Sequence, residues 1–278
     1  MNKLKLLARQ STCLVVPKQL ARLSLPFVPK QATRAITTGH LGRRYTPLVE
    51  VIQGGSNDPR LNEIYRLRHQ VLYGQTKNSL FTPDHDQVFP GENGFEIRDA
   101  LDDEESTMHY AVRRETDGKL VSSIRAVDGN KAQLEMEKFG WYNVEEPIRE
   151  AGFSEWCRLI CDKSARGTTA VPLLYLQSAR QLQDSGIDNV VFMVDTRAKK
   201  LLSYYKKWTI CEQISETAVR CDEFEKGRES YVMNMPMGST GSFQRAKFYS
   251  TVEVPCIAAI ALMPSYNKQP EGGDTMLA

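Results

Sequence analysis

The chain of 278 residues is 41% hydrophobic and 25% charged, with a formal net charge of +2. These globular proportions exclude wholesale disorder, collagen and coiled coil, and the length fits one domain with extensions or two small ones. No stretch holds the ~20 unbroken apolar residues of a membrane-crossing helix; the longest candidate, residues 254–263, contains Pro255.

The charge is unevenly spread. Residues 1–49 hold nine Lys/Arg and no Asp or Glu, which leaves 27 basic against 34 acidic residues, or −7, for the rest. An acidic body argues against nucleic acid as a general partner, because such binders recover counterion-release energy through a basic face. Near the start, Leu4, Leu6, Leu7, Leu14 and Val15 alternate with Lys3, Lys5, Arg9 and Lys18. A positive amphipathic helix of this kind is drawn to anionic membranes and down a negative-inside potential. Arg34-Ala-Ile36-Thr-Thr-Gly39 resembles a two-step mitochondrial processing pattern, which places a mature start near Arg44. Residues 1–45 are therefore expected to be a transit peptide to the mitochondrial matrix; the alternative is a disordered basic tail on a cytoplasmic protein.

The body begins with an alternating strand at residues 48–52, ended by Gly54-Gly55. Asn57 or Asp58 before Pro59 starts a helix that carries Leu61, Ile64, Tyr65, Leu67, His69, Val71 and Leu72 to about Gly74. Residues 76–95, rich in Pro, Asp, Asn and Gly, are expected to be loop. Strands at 109–114 and 120–127 flank Asp117-Gly118, a strong hairpin signal because the tight turn needs positive φ. A polar segment with Phe139 and Trp141 leads to a strand at 155–161. Thr168 to Gln183 is an amphipathic helix with Pro172 in its first turn and Gly186 as its stop. An apolar strand at 189–195, a basic helix from Arg197 to Trp208, and closing strands at 212–219 and 229–235 complete the domain, 46–237; residues 238–278 are expected to be a loosely structured tail. The six cysteines (Cys13, Cys157, Cys161, Cys211, Cys221, Cys256) form no C-x-x-C pair and the four histidines are scattered, so no metal site is expected and the thiols are expected to be free. By strict alternation Cys157 and Cys161 share one strand face and Glu155 and Arg158 lie on opposite faces, so a shared site for the latter pair requires a bulge.

This order of elements resembles the GNAT-type N-acyltransferase fold. The carrying residues are Leu202-Ser-Tyr-Tyr205-Lys-Lys-Trp-Thr209-Ile210, similar to that family's tyrosine segment with Thr and Ile for Gly and Phe, and Asp162-Lys-Ser-Ala-Arg166-Gly167-Thr168-Thr169 at the place of the pyrophosphate loop. The acyl-homoserine-lactone synthase and N-acyl amino acid synthase branch is matched more closely. Arg66-Leu-Arg68, Phe95-Glu96-Ile-Arg-Asp99-Ala-Leu-Asp102, Ser123-Ile-Arg125, Lys138-Phe139 and Glu155-Trp-Cys-Arg158 resemble its spaced charged motifs in the right order, over about residues 58–235. The tryptophan that follows the first-helix motif in lactone synthases is missing, which favours the N-acyl amino acid side. The resemblance implies an α/β (α+β) fold with a mixed, mostly antiparallel central sheet, a β-α-β-α unit and helices on both faces.

It also implies an enzyme that moves an acyl group, long-chain by preference, from acyl carrier protein or acyl-CoA to the amine of an amino acid or similar small molecule, with no permanently bound cofactor. Such chemistry needs a base for the amine, donors for the thioester oxygen and backbone N–H groups for the carrier's arm. On the resemblance, Glu155 is the base and Tyr205 the acid for the leaving thiol. Arg68, Asp99, Asp102, Arg125 and Arg158 bind the acceptor, and Arg166, Gly167, Thr168 and Thr169 bind the carrier. Each has a plainer account: a surface ion pair for Glu155–Arg158, a solvated acidic run for Asp99 to Glu105, core packing for Tyr205, and a solvated face for Arg197, Lys199, Lys200, Lys206 and Lys207, the basic helix that otherwise docks an acidic carrier protein. The competing functions are an acetyl-CoA-dependent GNAT acetyltransferase and a non-catalytic acyl-carrier or acyl-CoA binding module.

Overall fold

The computed structural model describes residues 49–75, 87–91, 94–114, 117–166, 168, 170–207, 211–222 and 227–238. The expectations for residues 1–45, for nearly all of the 238–278 tail, and for Gly167 and Thr169 lie outside the described residues. No helix among them is long and apolar enough to cross a membrane.

The main sheet runs β1 (Val49–Gln53), β4 (Thr107–Arg113), β5 (Leu120–Asp128), β6 (Phe153–Cys161), β7 (Asn189–Asp195), β10 (Glu229–Pro236) and β8 (Glu212–Gln213), with β9 (Val219–Arg220) also on β10. Every pair is antiparallel except β6–β7. That one parallel pair follows from the crossover helix α4 (Ala170–Asp184) between them, since parallel neighbours cannot be joined by a hairpin. The β4–β5 hairpin turns where Asp117-Gly118 predicts it: Gly118 has φ of 67° and its N–H donates to the Arg114 carbonyl at 2.7 Å.

Two helices cover the two faces, while the short α2 (Glu135–Lys138) and α3 (Glu146–Glu150) come between β5 and β6 in the chain. Helix α1 (Pro59–His69) starts at Asp58, whose carboxylate accepts the Arg60 N–H at 2.9 Å, with Pro59 in the first turn where its missing N–H costs nothing. It buries Leu61, Ile64, Tyr65 and Leu67 against Ile52, Ala111, Val127, Phe153 and Val191. The opposite face packs α4, through Leu173, Leu174, Tyr175 and Leu182, on Tyr110, Ile124, Trp156 and Val194. Each such side chain contributes roughly 1.5–3 kcal/mol by leaving water. Helix α5 (Lys199–Lys207) follows β7 on the α4 side, where Tyr205 joins that core.

Three expectations are corrected. Residues 87–91 and 94–95, expected as loop, belong to a two-stranded ribbon, β2 (Gln87–Gly91) with β3 (Gly94–Arg98), lying against α1. Pro90 and the glycines read as breakers, yet a two-stranded ribbon has outer edges on which proline's missing N–H is tolerated. The strand expected over 212–219 is only β8 and β9, with non-strand residues between them. Cys157 and Cys161 do not share a face: Cys157 packs on the α1 side and Cys161 on the α4 side. An irregularity in β6 shifts the alternation by one residue, and the candidate site depends on it.

Candidate active site

In the β5–β6 ladder Ser123 stands opposite Ile160 and Arg125 opposite Cys157, so Ile124 alone faces two residues, Arg158 and Leu159. This is a β-bulge, and Arg158 takes up the extra residue with φ of 54°. A left-handed arginine costs on the order of 1 kcal/mol, so something must hold it there. Arg158 Nη2 donates to Asp99 Oδ2 at 2.8 Å and to Glu135 Oε1 at 2.7 Å. The bulge therefore turns Arg158 onto the α1 face, the face that Glu155 occupies.

On that face, under α1, the sequence motifs converge into one buried charge cluster. Arg68 of α1 donates to Asp102 Oδ2 at 2.6 Å, and Arg125 of β5 donates to Asp99 at 2.6 Å and Asp102 at 2.9 Å. Both aspartates are placed by a short 3-10 turn, Ala100–Asp103, whose capping box joins the Asp99 side chain to the Leu101 N–H and the Asp102 side chain to the Asp99 N–H. Gly54 lets this loop approach the sheet, because a Cβ there would stand 2.8 Å from the Asp102 carbonyl oxygen. Arg68, Asp102, His109, Arg125 and Glu155 are at most 2% exposed. The plainer reading of Asp102 as part of a solvated run is thus excluded, while Asp103, Glu104 and Glu105 beside it are exposed.

Burial opposes every charge here, and neighbours decide which survive. It pushes the Asp102 carboxyl up, but Arg68 and Arg125 outweigh it and hold the group at about 2; Asp99 is likewise held well below the carboxylate range by Arg125 and Arg158. His109 is driven down to about 3 by burial and stands neutral. Glu155 goes the other way. Val127 and Val191 flank it in the sheet, burial dominates, the Glu135 carboxylate adds repulsion, and its carboxyl is pushed up to about 8. With Glu155 carrying its proton, three guanidiniums face the three carboxylates of Asp99, Asp102 and Glu135; the ionised form leaves one negative charge over.

Glu155 also sits at an opening in the sheet. The parallel rungs between β6 and β7 end at Trp156 and Phe192, so residues 157–161 and 193–195 are not paired to each other. Just beyond β6, Asp162 accepts the Ser164 N–H at 2.8 Å and shapes the loop that leads into α4. Thr168 is occupied as a cap: its hydroxyl donates to the Ala165 carbonyl at 2.7 Å and accepts the Ala170 N–H at 3.4 Å. Arg166 is exposed, with its Nε 3.4 Å from the Cys161 carbonyl oxygen. Tyr205 is not brought to Glu155. It lies in the core on the other face of the sheet, its hydroxyl 2.5 Å from that of Tyr175, and burial raises its pKa.

No family model and no curated protein matches the sequence. Solved structures do match. BjaI, described as a CoA-dependent acyl-homoserine lactone synthase and solved with SAM and isopentyl-CoA, superposes with a TM-score of 0.52 at 13% identity, over 77% of this chain and 99% of that one. The chain has the fold of an acyl-homoserine lactone synthase. TofI, solved in a ternary complex with an inhibitor and MTA, gives the same TM-score of 0.52 at 14% identity over 74% of this chain and 96% of that one. In this synthase-like fold the α1-side cluster gathers Arg68, Asp99, Asp102, Arg125, Glu155 and Arg158 from four separate stretches of chain.

Two members of the cluster escaped the motif reading. His109 Nδ1 lies 3.4 Å from Arg68 Nη2, and its partner across the ladder is Arg125; a histidine in a β-rich run directly opposite an arginine was the available signal. Glu135 belongs to a polar-looking segment, but Leu134 and Met136 beside it are fully buried, and an acid between two core residues was the clue. Among the described residues no group of three or more His, Cys, Asp and Glu is placed to hold a metal ion, and Cys157, Cys161 and Cys211 are free thiols.

Proposed function

We propose that the protein is an N-acyltransferase that moves an acyl group from acyl carrier protein or acyl-CoA to the amine of an amino acid or similar small molecule. The observation that carries this reading is the β6 bulge, which puts Glu155 and Arg158 on one face beside the β6–β7 opening. An ordinary ion pair requires neither burial nor a left-handed arginine.

In the proposed reaction the acceptor amine attacks the thioester carbonyl carbon. An N–C bond forms, the C–S bond breaks, and the carrier leaves as a thiolate, which picks up the second of the two protons that an ammonium acceptor sheds on becoming an amide. The amine must give up a proton, and ionised Glu155 takes it; a carboxylate whose pKa is about 8 is a far better proton acceptor than an exposed one. The extra negative charge of the ionised cluster favours an acceptor that arrives as an ammonium ion. Beyond Trp156 the facing edges of β6 and β7, which are not paired to each other, offer backbone donors to the thioester oxygen, and residues 162–166 with the start of α4 offer N–H groups to the carrier's phosphate. BjaI, solved with isopentyl-CoA, makes CoA a reasonable donor to test beside the carrier protein.

Glu155→Ala is expected to fold and to lose transfer; an active Glu155→Ala protein removes Glu155 as the base. Residues 1–45 are proposed to direct the chain to the mitochondrial matrix, and a reporter fused to residues 1–50 that stays cytosolic removes that assignment.

A further inference from the structure

Glu135 opens the short helix α2 (Glu135–Lys138) and acts on Glu155 both directly and through its neighbours. Its backbone N–H donates to Glu155 Oε2 at 2.8 Å. Its carboxylate accepts from Arg158 Nη2 at 2.7 Å and Arg125 Nη2 at 3.4 Å, the two cations nearest the base. Leu134 and Met136 on either side are fully buried and pin the helix to the sheet. The helix has no side-chain cap of its own from Leu134, so Glu155 itself caps its first turn from across the sheet. The two glutamates are therefore built as one unit, the main chain of one holding the carboxylate of the other.

We propose that Glu135 is the positioning residue of Glu155: its main chain fixes the Glu155 carboxylate, and its side chain holds Arg158 in the bulge while keeping a negative charge beside the base. This rests on Glu155 being the base of the proposed transfer. The charged and titratable groups that face Glu155 are Arg125 from β5, Cys157 and Arg158 from its own strand and Glu135 from α2. Behind the arginines lie Arg68 of α1, His109 of β4, and Asp99 and Asp102 of the 3-10 turn; β7 presents apolar Val191. Of these, the acid that acts most directly on Glu155 is Glu135, which opposes its ionisation. Glu135→Gln keeps the size and the N–H but deletes that repulsion, and it leaves Arg125 and Arg158 more strongly positive toward Glu155. Both effects make Glu155 the stronger acid.

The test is the pH profile of transfer by the full chain. Because the base must be ionised, wild-type transfer rises with pH through about 8. In Glu135→Gln that acid limb moves to lower pH by about one unit or more. Glu135→Asp, which keeps the charge, leaves the limb near its wild-type position. A Glu135→Gln limb that stays in place overturns the proposal. Glu155→Gln is measured alongside: if it retains turnover, the base assignment fails whatever Glu135 does, and if it is inactive while the Glu135→Gln limb is unmoved, the Glu135 proposal fails alone. Should Glu135→Gln not fold, the wild-type chain labelled with 13C at glutamate carboxyls decides the matter without it. The Glu155 resonance, identified by its loss in Glu155→Gln, and a second glutamate resonance must inflect at one midpoint; a Glu155 inflection that no other glutamate shares overturns the coupling.

Discussion

Replacing Glu155 by glutamine should stabilise the protein while abolishing its chemistry, and by an amount that depends on pH. In the folded chain the carboxyl titrates at about 8 against an ordinary value of 4.5. Below 4.5 both folded and unfolded chains hold this proton and Glu155 carries no penalty. Between 4.5 and 8 the unfolded chain has released the proton and the native chain has not, so wild-type stability falls by a factor of ten in the folding constant per pH unit. Above 8 the loss is complete and amounts to about 5 kcal/mol. Glutamine imitates the protonated acid: it fills the same volume, and its carbonyl oxygen can accept the Glu135 N–H that Glu155 Oε2 accepts at 2.8 Å. Urea denaturation of both proteins from pH 4.5 to 9 reads the effect, since the other titrating groups are common to the pair. The two stabilities should meet near pH 4.5 and separate steadily up to pH 8, where the melting temperature of Glu155→Gln should be roughly 10 °C higher or more. Parallel stability profiles across this range would refute the reasoning, because they would mean that Glu155 titrates alike in both states.

Asp102→Asn should destabilise by about 3–5 kcal/mol, read as a lowered urea midpoint, because it leaves buried Arg68 and Arg125 short of a counter-charge. In the wild type the contribution of Asp102 is present above 3.8 and is lost only as pH falls toward about 2, so unfolding at pH 4 should still find this aspartate ionised. Tyr205→Phe should cost about 1 kcal/mol for the lost bond to Tyr175 and leave transfer within a few-fold of wild type; a loss of about a hundredfold would restore its role as the leaving-thiol acid. Gly54→Ala should destabilise by about 1–3 kcal/mol, because its Cβ would meet the Glu104 and Asp102 carbonyl oxygens at 2.7 and 2.8 Å, and thermal melting should show it.

The sheet was legible in the sequence where local chemistry decides it. Asp117-Gly118 dictates a turn, Asp58-Pro59 a helix start, and the apolar run 189–195 a strand buried on both sides. The ribbon of residues 87–91 and 94–98 was not, because Pro90 and its glycines break a central strand but not the edge of a two-stranded one. The site was legible as a set of spaced charges and illegible as geometry. Glu-x-x-Arg on a regular strand separates its charges, and no glycine at 158 announces the left-handed residue that reunites them; partners far along the chain, Asp99 and Glu135, stabilise that conformation. Burial was equally hidden at Asp102, since only the folded loop separates it from its exposed neighbours Asp103 to Glu105. Tyr205 shows the opposite limit: a motif position can be recognised as a leaving-thiol acid although the sheet divides it from Glu155, and its alternative reading as core packing is the one its burial matches.

The central claim is acyl transfer to an amine, and mass spectrometry of the intact carrier tests it most directly. The purified full chain is incubated with acyl carrier protein and acyl-CoA panels and a pooled amino-acid mixture. The account predicts loss of the acyl group from one carrier with a matching N-acyl product, and neither event with Glu155→Ala. Carrier binding with no product from any amine would contradict it in favour of a binding module, and consumption of acetyl-CoA alone would contradict the long-chain reading.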